Sequence, residues 1–384
     1  MPADAPAAQF IGVGPGPSNG LTDVAGVEVG QVTRTDHPFL TGTTAVLTRG
    51  GAMGAADVRG GAPATRETDA LDPRNLVDAV HAVVLSGGSA YGLDAAGGAM
   101  RWLEEHGVGR SVGTAPGEVV PIVPAAALFD LGRGGSFTAR PDVSFGYDAA
   151  AAASSVPVVE GVVGAGTGAL TGNFMGRRLK GGVGTASVVT AGGVTVSVLV
   201  VVNALGQAVD PATGLPYALG LTFPGELPEL IRRPSAAELE RHHAGAAGFT
   251  LPQGHTVLAV VATDAALTKS EAADLARATH GGLARAIRPA HTRFDGDTVF
   301  ALATGRRALL ADDELAEVAP QGPAASTAPS VAGASSVRDM AVAYLGHLGA
   351  DCLSRAIVRG LLAATSVGEF TAYRDAFPGV FGLS

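Results

Sequence analysis

Apolar residues along this chain fall into two patterns. Short apolar runs bounded by Gly, Pro or polar clusters predict strands, and longer segments with apolar positions three and four apart predict helices. In residues 21–33 valines alternate with smaller or polar residues, as in a half-buried strand, and residues 42–49 form a second candidate. An apolar strand beginning at Ala82 meets the turn Ser86-Gly87-Gly88-Ser89 and then a helix reaching toward Gly107. The run VTVSVLVVVN, residues 194–203, is the most strand-like in the chain; residues 257–262 and 298–304 add two more.

Helix signals lie between these runs. Asp72-Pro73 suits a helix start to about Val80, since Asp caps and Pro fits the first helical position. An alanine-rich helix begins close to Tyr147. The capping pairs Ser235 with Glu238 and Thr268 with Glu271 predict two helix starts, the second helix running to about Ala286. Residues 311–336, rich in Ala, Pro and Ser, read as a long surface loop. The last helix, residues 337–365, carries apolar spacing at Met340, Tyr344, Leu348, Cys352 and Ile357. Strands and helices alternate without a regular βαβ or internal repeat, which predicts an α/β layered sandwich with helices outside two sheets.

Composition narrows the function classes. The chain has 384 residues, 47% hydrophobic and 16% charged, with net charge −9. That is a globular chain without a general nucleic-acid-binding surface. Length alone allows two to three domains of ~150 residues, although large α/β domains run longer. The single cysteine, Cys352, excludes an internal disulfide and a cysteine-rich zinc site, and its helical setting predicts packing rather than reactivity. The N-terminal stretch has no basic n-region, and no segment approaches the ~18 apolar residues of a membrane span. A cytoplasmic location is the expectation. Glycine is abundant at 55 residues, often beside strand-like runs, where it permits tight turns and close backbone approach.

Candidate chemistry centres on residues 254–300. Thr256 stands at the mouth of the 257–262 strand, on a rigid support. The stretch GAAGFTLPQG before it, residues 245–254, reads as an exposed loop open to cutting. About forty residues on, Asp295-Gly296-Asp297 places two carboxylates two positions apart, so an extended backbone turns both the same way. Asn203 ends its strand, where its side-chain amide can donate to an oxyanion or simply make a turn. Ser86 and Ser89 form a rival strand-to-helix nucleophile site, but G-x-S-x-G is not satisfied, so the turn reads as substrate-binding or structural. GAGTGA, residues 164–169, lacks the sixth glycine and the βαβ unit of a dinucleotide site, and no phosphate loop is present. His242 and His243 belong to no HExxH pattern and read as solvated. No cofactor and no metal are expected.

Together VRGGAPATRETDAL, VVLSGGSAYGLDAA, GAGTGA, KGGVGTAS, the strand ending VVN, ATDAALTKSEA and RPAHTRFDGDTVFALATG resemble the P1 family of peptidases. That family includes the L-aminopeptidase/D-esterase type, β-peptidyl aminopeptidases and nylon-oligomer hydrolases. The motifs span residues 21–365. The resemblance implies an αββα sandwich like that of N-terminal-nucleophile hydrolases but with different connectivity. It implies a single domain over residues 1–384, made as a precursor that cuts itself between His255 and Thr256 into 1–255 and 256–384. It implies Thr256 as nucleophile, Asn203 as oxyanion donor, Tyr147 as the active-site tyrosine, and Asp295 and Asp297 as the acidic pair. It also implies a small peptide or amide substrate and a homo-oligomer, a tetramer of processed pairs.

The chain departs from the family at two places. Gly172-Asn173 stands where glycine-lysine is common, which makes Lys180 the candidate substitute, and His255 stands where a small residue or asparagine usually precedes the cut. Two further readings stay open: an acyltransferase resembling ornithine acetyltransferases, and a relative that binds a small ligand without processing itself.

Overall fold

The computed structural model describes residues 13–172, 178–228, 232–244, 254–309 and 331–382. Asn173 and the 245–253 part of the expected cleavable loop lie outside the described residues, as does the 311–330 part of the expected surface loop.

One strand organises the architecture. β2 (Thr41–Val58) runs 18 residues. Its first part pairs with β1 (Glu28–Arg34) and β4 (Val80–Ser86), and its second part pairs with β13 (Thr298–Arg307). The β4 register shifts between Leu47 and Ala52, where Arg49-Gly50-Gly51 interrupts the pairing and Gly51 takes φ 78. An irregularity of this kind bends a strand and increases its twist. The order is β10-β11-β12-β13-β2-β4-β7-β3, where β10 is Val183–Val189, β11 Thr195–Val201, β12 Leu258–Ala265, β7 Ala125–Ala127 and β3 Thr65–Arg66, and two short pairs stand apart, β5 (Arg110–Ser111) with β6 (Val119–Val120) and β8 (Leu170–Thr171) with β9 (Leu179–Lys180).

Alternation along the strands shows how this sheet is packed. Val46, Val83 and Leu85 from one half share a core with Leu199, Leu258, Val260 and Phe300 from the other, so the sheet folds over at β2 into two facing layers. The intervening residues point outward to helices. Ala45, Leu47, Ala82 and Val84 pack against α1 (Ala95–Glu105) and α2 (Val143–Ala151). Val196, Val198, Ala259, Val261 and Val299 pack against α4 (Lys269–Thr279), α5 (Gly281–Ala286) and α6 (Val331–Ala363). A further helix, α3 (Ala236–Ala244), precedes the undescribed 245–253 stretch. The layers are therefore αββα. β11 and β12 are apolar on both faces because both faces are covered.

Several local expectations change. The segment after Asp72-Pro73 is a turn, because the Asp72 carboxylate accepts from the backbone N–H and guanidinium of Arg74 two residues on. The 268–286 helix breaks at His280 into α4 and α5. α6 begins at Val331, six residues before its expected start. Met340 and Tyr344 are exposed, and the buried stripe follows Val342, Leu345, Leu348 and Cys352. Cys352 is fully buried, with its thiol pushed up to about 12 by burial. Among the described residues no helix is long and apolar enough to cross a membrane.

Glycine abundance has a packing reason where α6 lies on β10. A Cβ at Gly184 would collide with the Ala356 carbonyl oxygen and with the Gly360 backbone. Gly184→Ala is expected to lower stability by ~1–3 kcal/mol through overpacking. Gly220→Ala, with nothing within 4 Å of the new Cβ, serves as the near-neutral control. Urea denaturation midpoints of the two variants check this.

Candidate active site

Parallel pairing of β12 with β13 sets Leu258 opposite Thr298. Three residues upstream the same register continues as an isolated bridge between His255 and Asp295. Thr256 thereby comes to lie against Gly296, where a Cβ would sit 2.9 Å from the threonine hydroxyl. Antiparallel pairing of β11 with β12 supplies the other wall, since the Thr256 N–H donates to the Asn203 carbonyl at 2.7 Å. Thr256 is 4% exposed and Asn203 wholly buried.

The hydroxyl faces its own preceding peptide. Thr256 Oγ1 donates to the His255 carbonyl oxygen at 2.6 Å, and the Gly296 N–H donates to the same oxygen at 2.9 Å. The two carboxylates hold the backbones on either side. Asp297 accepts from the Val257 N–H at 2.8 Å, one residue after the threonine. Asp295 accepts from the Leu205 N–H at 3.3 Å, two residues after the asparagine, and from the backbone and hydroxyl of Thr292. Burial, and then the negative charge of Asp297, push the Asp295 carboxyl above the usual carboxylate range.

Asn203 is oriented by two donors converging on its side-chain oxygen. Arg133 reaches Oδ1 at 2.6 Å and the Leu170 N–H reaches it at 3.1 Å. The amide nitrogen turns the other way, toward the Phe129 carbonyl at 3.4 Å. The same guanidinium donates to the Gly254 carbonyl at 3.2 Å, so one cation touches both the asparagine and the segment two residues before Thr256. Burial lowers Arg133 to about 10, which leaves it charged at neutral pH. Burial, with Arg133 and Arg178 nearby, lowers His255 to about 3, so the imidazole beside the threonine is neutral.

Behind Asn203 a second charged group is embedded. Lys180 donates to the carbonyls of Gly166, Ala169 and Gly181, at 3.1, 2.7 and 3.0 Å. Burial and the proximity of Arg133 lower it to about 7, while Asp130 opposes the shift. Asp130 in turn accepts from the Gly88 N–H at 2.7 Å and the Thr41 hydroxyl at 2.7 Å. The Ser-Gly-Gly-Ser turn already holds this carboxylate, and Ser86 hydrogen-bonds Thr43. These bonds tie the turn into the core, and a Cβ at Gly87 would strike the Asp130 oxygen.

Four of the five expected residues, Thr256, Asn203, Asp295 and Asp297, come together. Tyr147 does not join them. It sits half-buried in the outer helical layer, donating to Glu105 at 2.7 Å with Arg101 over its ring. Phe129 is the aromatic residue next to Asn203 and Gly254. Arg133, the Gly296 N–H and His291 were missed. Asp130 and Arg133, three positions apart in FDLGR after a strand, were the only sequence sign of the buried charge pair. A cavity of about 220 Å³ opens at the far end of the Asn203–Gln207 segment, walled by Gln207, Asp210, Leu239, His242 and Phe377.

The model of Peptidase family S58 matches residues 19–374. An uncharacterized aminopeptidase of Mycobacterium bovis is 47% identical over 376 residues, covering 95% of this chain and 99% of that protein. A 6-aminohexanoate-oligomer endohydrolase of a Kocuria species is 29% identical over 282 residues, covering 73% of this chain and 74% of that protein. In fold the chain resembles a Burkholderia beta-aminopeptidase, with TM-score 0.61, 24% identity and 96% of each chain covered. It also resembles an L-aminopeptidase D-Ala-esterase/amidase of Ochrobactrum anthropi described as a variant of the Ntn hydrolase fold. There the TM-score is 0.60 and the identity 21%, covering 95% of this chain and 91% of that one.

Arg133→Met would leave Asn203 Oδ1 with one donor and weaken the charge opposite Asp130. An unfolding free energy lower by ~1–3 kcal/mol is expected from the deprived buried groups. Chemical denaturation at neutral pH measures it.

Proposed function

The chain belongs to peptidase family S58, which makes it a hydrolase of peptide or amide bonds, and we propose that it processes itself at His255-Thr256 and then works as an aminopeptidase or amidase with Thr256 as its N-terminal nucleophile. One observation carries the reading. The Thr256 hydroxyl lies 2.6 Å from the carbonyl oxygen of the bond to be cut, and that oxygen also holds a backbone N–H.

In the first cut, Thr256 Oγ1 adds to the His255 carbonyl carbon and its proton passes to a carboxylate, Asp295 or Asp297. The developing oxyanion is held by the Gly296 N–H. The C–N bond breaks, the proton goes to the departing nitrogen, and His255 is left as an ester on Thr256. Water hydrolyses that ester, giving 1–255 and 256–384. The Asn203 carbonyl, which already accepts from the Thr256 nitrogen, holds the new amine in place.

A threonine hydroxyl is a weak nucleophile and needs an adjacent base. The freed α-amine, with a reference pKa of ~7.7–8.0, supplies one. In turnover the hydroxyl attacks a substrate carbonyl, the amine takes its proton, and the Asn203 side-chain amide donates to the oxyanion. The leaving amine is protonated, and water then releases the acyl group. The substrates are small peptides, amides or esters that lose an N-terminal residue. Aminopeptidase relatives support release of an N-terminal residue, and the endohydrolase of 6-aminohexanoate oligomers supports an amide as the bond cut. We also propose a cytoplasmic homo-oligomer of processed pairs.

The wild type is expected to give two bands on a denaturing gel and to release p-nitroaniline from aminoacyl anilides. Thr256→Ala is expected to give one full-length band and no turnover, whereas Thr256→Ser retains both. A Thr256→Ala chain that is still cut would refute the assignment. For the processed wild type, kcat/KM is expected to rise with pH through the pKa of the amine, because only the neutral amine accepts the proton.

A further inference from the structure

We propose that His291 is a positioning residue for Asp297: its backbone N–H and its ring together aim that carboxylate at the Val257 N–H, and so hold the residue after the nucleophile in place for reaction. The inference deepens the self-processing reading and rests on it.

The two acids differ in what surrounds them. Thr292 tends Asp295 with a backbone N–H at 2.8 Å and a neutral hydroxyl at 2.6 Å. His291 tends Asp297 with its backbone N–H at 3.1 Å and its ring Nδ1 at 2.8 Å, both on Oδ2. The other oxygen of Asp297 takes the Val257 N–H, so the carboxylate is held between the histidine and the residue that follows the nucleophile. Adjacent residues of one turn thus orient both acids, one with a neutral partner and one with an imidazole.

Two independent features mark the histidine as selected for this contact. His291 has φ 55, a left-handed backbone that a non-glycine residue adopts at some cost and that tends to collect at functional sites. That conformation lets the N–H and the ring of a single residue reach one oxygen. Its ring also packs edge-on against His280, with centroids 5.0 Å apart. His280 is buried, and burial lowers it to about 4, so it stays neutral around neutral pH. Its Nε2 meets the Asp57 carbonyl at 2.9 Å.

The charged and titratable groups around the pair are few. Asp295 repels Asp297, and Asp57 with Arg59 lies behind His280. The Arg59 backbone N–H donates to the Asp297 carbonyl at 2.7 Å, while its guanidinium is engaged by Asp57. Asp297 therefore relies on His291 against the neighbouring carboxylate. Without the ring, Asp297 Oδ2 keeps only the backbone N–H of His291, and the carboxylate that holds Val257 is free to turn away from it.

His291→Gly removes the ring and accepts the left-handed backbone, so it preserves the fold and the backbone N–H bond. His291→Asn restores a side-chain donor and tolerates the same φ. Two quantities are measured for full-length chains: the processing rate by intact mass, and kcat and KM separately on an aminoacyl p-nitroanilide. His291→Gly is expected to slow processing and to lower kcat about tenfold with KM little changed, and His291→Asn to restore most of both. Rates unchanged in His291→Gly, or an Asn variant as slow as the Gly variant, would overturn the proposal. Should His291→Gly remain uncut, His291→Asn decides it: cutting restored supports the positioning role, and an Asn variant that is also uncut overturns it. Cleavage of Thr256→Ala would instead strike at the self-processing reading, so the two failures are distinguishable.

Discussion

The site depends on a parallel strand pair at the centre of a doubly covered sheet. β12 and β13 are buried on both faces through their paired residues, so their register cannot slip without exposing one apolar face or inverting both. That register, extended three residues beyond the ladder, sets His255 opposite Asp295 and Thr256 against Gly296. A hydroxyl, the carbonyl before it and a backbone N–H are aligned by packing rather than by a flexible loop. The absence of a side chain at Gly296 leaves room for the threonine hydroxyl.

Around that pair the fold places ionisable groups in dry surroundings and gives each a defined partner. Buried charges are tolerated only when paired or hydrogen-bonded. Asp130, Arg133 and Lys180 meet this condition with backbone carbonyls, backbone N–H groups and one another. Their consequence for chemistry is orientation. Arg133 fixes which end of the Asn203 amide points where, and the two aspartates anchor the strand ends that carry the asparagine and the threonine.

Much of the fold was legible because period and length agree at its core. The apolar runs over β11, β12 and β13 announced buried strands, and the capping pair of Thr268 and Glu271 marked a helix start that the structure retains. The 18-residue reach of β2 was not legible. Its second half is rich in glycine and alanine, which carry weak strand preference and are held there by β13. Asp72-Pro73 misled because a local carboxylate contact with Arg74 competes with helix capping. At the site, DGD and the threonine before an apolar run could be read directly. The placement of Tyr147 in the outer layer could not, since the α1 and α2 contact that engages it arises from tertiary packing. Arg133 lies more than a hundred residues from Thr256, and only folding brings the two ends of that interaction together.

The central claim is that the polypeptide opens at one peptide bond and that the amine released there becomes the base for catalysis. Intact mass and N-terminal sequencing of freshly purified, active protein test it most directly. The account predicts two chains, the smaller one beginning Thr256-Val257-Leu258. A fully active chain that is unbroken, or a new terminus at any other residue, would contradict it.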